Sequence, residues 1–186
     1  MRQGNRLLPL RRTKMLMGTQ AAINRADRIV HTYETRNPDR LASYLGIIVM
    51  PRPFTRQKGI YTVIKGNRFI FIKDGLPPVT RAIVLLHEIG HDQLHRKEAM
   101  TMGAFQEFNI FDMTDKRMEY EANLFAAQVS LPDKDILEHI SMGYDVGEIA
   151  RAMYSDINLV ALKVAELNRR GYTLRPQEHR NDFLKW

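Results

Sequence analysis

The pentapeptide His87-Glu88-Ile89-Gly90-His91 constrains this chain more than any other stretch. In a helix its two histidines lie about 6 Å apart along the axis and roughly 40° apart around it, so they share one face. Two imidazoles so placed can bind one Zn²⁺. Glu88, about 100° round from His87, then reaches a water held beside them. The surroundings favour a helix. An apolar run, Ala82-Ile83-Val84-Leu85-Leu86, precedes the motif, and no glycine or proline interrupts Val79 to Ile89. Pro77-Pro78 and Thr80 supply a helix start. Two solvated histidines on a surface helix would give the same five letters, but not the apolar run before them.

A hydrolytic zinc site takes three protein ligands and keeps one position open. His95 is one turn further along the same face, but about 12 Å up the axis from His87, too far to share the ion. The stretch Glu119-Tyr120-Glu121-Ala122-Asn123-Leu124-Phe125-Ala126-Ala127 is the better source. Met118, Ala122, Phe125 and Val129 define an inward helical face, and Glu121 falls within it. Glu119 falls on the side shared with Asp115, Lys116 and Asn123 and is the alternative third ligand. A carboxylate on a buried face is costly unless a metal or an arginine offsets it. Glu121 is therefore the expected ligand, and the small Ala122 would let the two helices approach closely. His95 and Tyr120 are candidates for a supporting role behind the ligands or for stabilising an oxyanion. His139 and several arginines are further candidates for the latter role.

Composition narrows the rest. With 186 residues, 44% hydrophobic and 26% charged, the chain suits one soluble domain with a real core. No apolar run approaches the roughly 20 residues needed to cross a bilayer. The absence of cysteine rules out disulfides, thiolate ligands and a thiol nucleophile. It suits a reducing compartment, and a cytoplasmic location is expected. The net charge of +7 is not spread evenly. It gathers at Arg2, Arg6, Arg11, Arg12 and Lys14 and again at Arg169, Arg170, Arg175, Arg180 and Lys185, leaving the body nearly neutral. Basic ends of this kind are usually solvated, so direct nucleic-acid binding is not expected.

Along the chain, residues 1–18 lack periodicity and read as a basic N-terminal extension. From Thr19, Ala22, Ala26, Ile29, Val30 and Tyr33 recur at helical spacing. Asn37-Pro38 opens a shorter helix that ends at Gly46. Residues 47–50 form a short strand stopped by Pro51 and Pro53. Gly59–Ile64 and Arg68–Lys73 form a hairpin across Lys65-Gly66-Asn67. The second of these lacks polar alternation, which predicts cover on both faces. The metal helix follows and runs to about His95. Residues 100–111 read as a loop with at most one helical turn. Thr114 or Asp115 caps the next helix, and further helices start at Asp133, Val146 and Ile157. Residues 171–186 read as a basic tail. The expectation is an α+β, zincin-like single domain over residues 19–170. It has a small antiparallel or mixed sheet, a metal helix, a third-ligand helix and a helical C-terminal region.

His87-Glu88-Ile89-Gly90-His91 followed by His95, then Glu119-Tyr120-Glu121-Ala122-Asn123-Leu124-Phe125-Ala126, then Leu131-Pro132, resembles the ImmA/IrrE family of zinc metallopeptidases. The resemblance covers roughly residues 19–170. It implies a gluzincin-like fold, one Zn²⁺ per chain held by His87, His91 and Glu121, and Glu88 as catalytic acid and base. It also implies a protein substrate, a helix-turn-helix repressor of a prophage or other mobile element. A peptide substrate would add as a strand to a sheet edge, for which 68–73 is the natural candidate. Two other functions compete. One is a non-proteolytic antirepressor that only binds its partner, although a purely structural metal site has no need of Glu88. The other is a DNA-binding module built on the helical pair within 144–170.

Overall fold

The computed structural model describes residues 10–103 and 116–174. The expected cap at Thr114 or Asp115, the first nine residues and most of the C-terminal tail lie outside them. The chain is α+β. Helix α1 (Leu10–Tyr33) leads to α2 (Pro38–Tyr44), followed by strands β1 (Ile48–Arg52), β2 (Gly59–Ile64) and β3 (Asn67–Lys73). Helices α3 (Pro78–Leu94), α4 (Arg96–Gly103), α5 (Lys116–Ser130), α6 (Asp133–Ser141), α7 (Val146–Ala152) and α8 (Ile157–Arg169) complete the order. Helix α1 starts at Leu10, inside the stretch read as an extension. Residues 11–17 are mostly good helix formers without glycine or proline, so propensity extends the helix where apolar periodicity gives no signal. Residues 96–103 form α4, whose end supplies the one helical turn expected after residue 100; the rest of that stretch, 104–111, lies outside the described residues.

The three strands lie in the order β1-β3-β2, with β1 parallel and β2 antiparallel to β3. Lys65 (φ 48°) and Gly66 (φ 80°) both take left-handed backbone, giving the hairpin a two-residue turn whose twist matches the strands. The central strand is therefore β3. It cannot offer an edge, which corrects the expectation that residues 68–73 would receive a substrate strand. The edges are β1 and β2. Strand β1 runs through Pro51 rather than stopping before it, as an edge strand can, because a proline there interrupts no interior ladder. On β3, Ile70 and Ile72 are buried, whereas Phe69 and Phe71 are only half-covered. The two faces of the strand are thus unequally covered.

Helix α5 runs through the centre of the helical part, packed by α3, α1 and α8. Every residue from Met118 to Val129 is buried, polar ones included. Its closest approach is to α3. A Cβ built on Gly90 would stand 3.2 Å from both Cα and the carbonyl oxygen of Ala122 and 3.3 Å from Cβ of Phe125. Glycine and alanine facing each other bring the two backbones together where the metal motif lies. A second polar group ties the outer helices to α5. The buried Lys163 ammonium lies 2.5 Å from Asp133 and donates to Gln128, whose amide donates to Asp27 at 2.7 Å. Arg170 meets Asp133 at 2.7 Å. No described helix is long and apolar enough to cross a membrane.

The contact at Gly90 sets the separation of α3 and α5. Gly90→Val should cost about 1–3 kcal/mol by overpacking. It should also weaken metal binding, read by urea unfolding alongside metal titration. A variant that loses neither shows that the helices do not meet tightly there.

Candidate metal centre

Residues 83–92 of α3 are buried throughout, so the two histidines enter from the protein's interior and not from a surface helix. Their rings stand nearly perpendicular, at 80°, with Nε2 of His87 and Nε2 of His91 converging to 3.0 Å. The Glu119 carboxylate completes a triangle, 3.7 Å from Nε2 of His87 and 3.5 Å from Nε2 of His91. Ligand atoms on one tetrahedral zinc ion are about 3.3 Å apart, given metal–ligand bonds near 2.0–2.1 Å. The three donors fit that spacing. Among the described residues this is the one group of three such side chains close enough to share an ion.

The hydrogen bonds behind the rings decide what their front nitrogens can do. His87 donates from Nδ1 to the amide oxygen of Asn123 at 2.8 Å. Burial, and after it the neighbouring His91, lowers the pKa of His87 to about 3, so near neutral pH the ring is uncharged. With the proton on Nδ1, its Nε2 lone pair is directed at His91. On the other ring, Nδ1 of His91 meets Nδ1 of His95 at 3.1 Å, and Nε2 of His95 meets the Glu121 carboxylate at 3.0 Å. The carboxylate keeps the proton on Nε2 of His95, which leaves Nδ1 of His95 to accept from Nδ1 of His91. The Nε2 of His91 is thereby also left as a lone pair. Two lone pairs and a carboxylate converging in a buried site form a donor set suited to a cation.

The carboxylate beside the histidine pair is Glu119, the alternative, whereas the expected ligand Glu121 lies on His95. Helical positions two apart differ by about 200°, so the two carboxylates leave α5 on opposite sides. Burial could not choose between them, because α5 is covered on every side. Tyr120 leaves in a third direction: its hydroxyl accepts from Arg169, whose guanidinium also stacks on the ring at 5.2 Å. It thus serves the contact with α8. His139 is bonded to the Asp135 carbonyl at 2.7 Å within α6. Asn123 was not singled out from the sequence. Its spacing of four from Glu119, matching that of His87 and His91, is the signal that could have found it.

Glu88, 7% exposed, lies against the start of β2, where the backbone N–H of Tyr61 favours its charged form. Burial, and after it the Glu119 charge, pushes Glu88 up to about 8. A cation at the triangle would oppose that rise. The next residue after the motif, Asp92, is buried between Arg68 of β3 at 3.2 Å and Arg96 at 3.0 Å. The first ion pair ties the metal helix to the sheet, and the second ties it to α4.

Residues 42–161 match the peptidase family described as the IrrE N-terminal-like domain. The chain belongs to that family. Its matched span begins in α2 and ends in α8, so it contains the sheet, the histidine pair and the Glu119 helix. A relative in Bacillus phage phi105, uncharacterized immunity region protein 2, is 33% identical over 124 residues, covering 66% of this chain and 76% of the phage protein. The fold expected of an IrrE-like peptidase is the fold observed.

The two carboxylates of α5 should separate in a metal titration. Glu119→Ala should abolish tight binding, because it removes one of three donors. Glu121→Gln should keep the site but lower affinity about 10–100-fold, because it loosens the proton arrangement behind His91. Full metal retention in Glu119→Ala, with loss in Glu121→Ala, would return the ligand role to Glu121.

Proposed function

We propose that the chain is a zinc-dependent endopeptidase in the cytoplasm, and that its substrate is a repressor protein of the mobile element that encodes it. The observation that carries this reading is the placement of Glu88. Its carboxylate stands beside the His87–His91–Glu119 triangle and touches the edge strand of the sheet. Membership of a peptidase family supports the chemistry. The phage relative's name, tied to an immunity region, supports a regulatory substrate.

A zinc ion held by His87, His91 and Glu119 supplies a Lewis acid that acidifies water and polarises a peptide carbonyl. The chain's own residues do the rest. Strand β2 is an edge, so a substrate in extended form can pair with it and be held across the site. Its scissile carbonyl carbon is then attacked by water while Glu88 takes one proton from that water. The same carboxyl returns the proton to the amine nitrogen as the C–N bond breaks, giving a new carboxylate and a new amino terminus. Asn123 and the His95–Glu121 pair keep both imidazoles oriented, with their Nε2 atoms toward the Glu119 carboxylate.

A DNA-reading module on α7 and α8 is not favoured. Helix α8 buries Leu159, Val160, Ala161, Leu162, Lys163 and Val164 in succession, leaving little of its first two turns for a groove. Charge near its start is acidic, from the capping Asp156.

Glu88→Gln tests the enzyme against an antirepressor that only binds. The variant should fold, hold about one zinc per chain and still bind the repressor encoded nearby. In co-expression it should cleave that repressor at least ~10²-fold more slowly. Induction of the regulated genes by the variant, with the repressor still full length, would leave the protease reading without support.

A further inference from the structure

Strand β2 begins with a glycine that no turn requires. Gly59 pairs with Ile72, and Tyr61 pairs with Ile70. Tyr61, Ile70 and Ile72 are all buried on the face that packs on α3. Large side chains cover that face except at residue 59. A Cβ built there would stand 2.6 Å from Cγ1 of Val84, 2.7 Å from Oε1 of Glu88 and 2.9 Å from Cγ of Glu88. The side chain of Glu88 thus lies in the notch that the glycine leaves. The strand's hydrogen-bond phase completes the site. Lys73 donates to the Lys58 carbonyl at 2.8 Å, so residues 58, 60 and 62 pair with β3, while 59 and 61 turn their N–H groups outward. The outward N–H of Tyr61 is on the side of the strand where the Glu88 carboxylate is felt.

We propose that Gly59 is a positioning residue for the general base: its missing side chain is the space in which the Glu88 carboxylate reaches the edge of β2. A methyl group at 59 would drive the carboxylate off the Tyr61 N–H and away from the triangle, without touching a metal ligand. The inference rests on the peptidase reading for its catalytic consequence, but the geometry can be tested without a substrate.

The test is amide hydrogen exchange on the full chain, with zinc bound and after chelation, comparing wild type, Gly59→Ala and Glu88→Ala. The Tyr61 amide should exchange about tenfold or more faster in both variants, because its N–H has no partner on β3 and loses the carboxylate beside it. Ile60 and Thr62, bonded to β3, should keep their wild-type rates. An unchanged Tyr61 rate in Gly59→Ala overturns the proposal. So does equal acceleration at Ile60 and Thr62, which would mean that the whole strand has loosened. If Gly59→Ala does not fold, Gly59→Ala/Val84→Ala, compared with Val84→Ala alone, removes the valine contact and isolates the one with Glu88. In the repressor assay, Gly59→Ala should keep its zinc and lose kcat at least ~10²-fold, while adding nothing in the Glu88→Gln background. Equal losses in both backgrounds also overturn the proposal. If wild type cleaves nothing, the peptidase reading fails, and the exchange rates still decide the role of Gly59.

Discussion

The structure depends on the close passage of α3 over α5. Gly90 and Ala122 let the two backbones meet, and this contact brings a carboxylate from one helix within reach of two imidazoles on the other. A buried carboxylate beside two buried histidines is expensive in an apolar interior unless a cation is shared among them. The close passage and the donor set therefore imply one another. Larger residues at the crossing would separate the donors, and without a cation the donors would have no reason to be buried together.

Around that contact the polar groups are arranged in depth. Each imidazole has its rear nitrogen engaged, one by Asn123 directly and the other through His95 to Glu121. A helix that buries all its faces can hold ligands and their supports together. Glu119 and Asn123 look toward α3 on one stripe, while Glu121 reaches His95 at the end of the same helix. The sheet is bound into the arrangement by Arg68 on Asp92.

Much of this was legible in the residues themselves, and the failures have physical causes. The histidine pair, its helix, the hairpin and the run of C-terminal helices follow from spacing and from proline and glycine punctuation. The family followed from the same motifs. The carboxylate beside the histidine pair did not, because the test for it assumed one buried face on α5. Where a helix is covered all round, apolar periodicity loses its phase, and the charged residue nearest the apparent stripe is not the one nearest the two imidazoles. Strand order was misplaced for a different reason. A central strand and an edge strand can carry similar apolar runs, and the parallel return of β1 onto β3 is a long-range pairing that no local pattern encodes. The glycine at 59 read simply as a strand start, since the group that fills its notch comes from a helix far along the chain.

The Arg68–Asp92 ion pair has a consequence for how the scissile bond of the proposed substrate would be selected. It ties the metal helix to β3, and β3 is paired with β2, so the Glu88 carboxylate keeps its place along the rungs of β2. A peptide pairing with β2 inherits that placement through its backbone. Its cleavage point is then counted in rungs, and a slip of one residue presents the opposite row of side chains to the protein. For the proposed peptide substrate the fold would act as a ruler with discrete marks. On such a ruler a segment is chosen as much by whether it can be drawn out into a strand in one register as by any single side chain beside the bond.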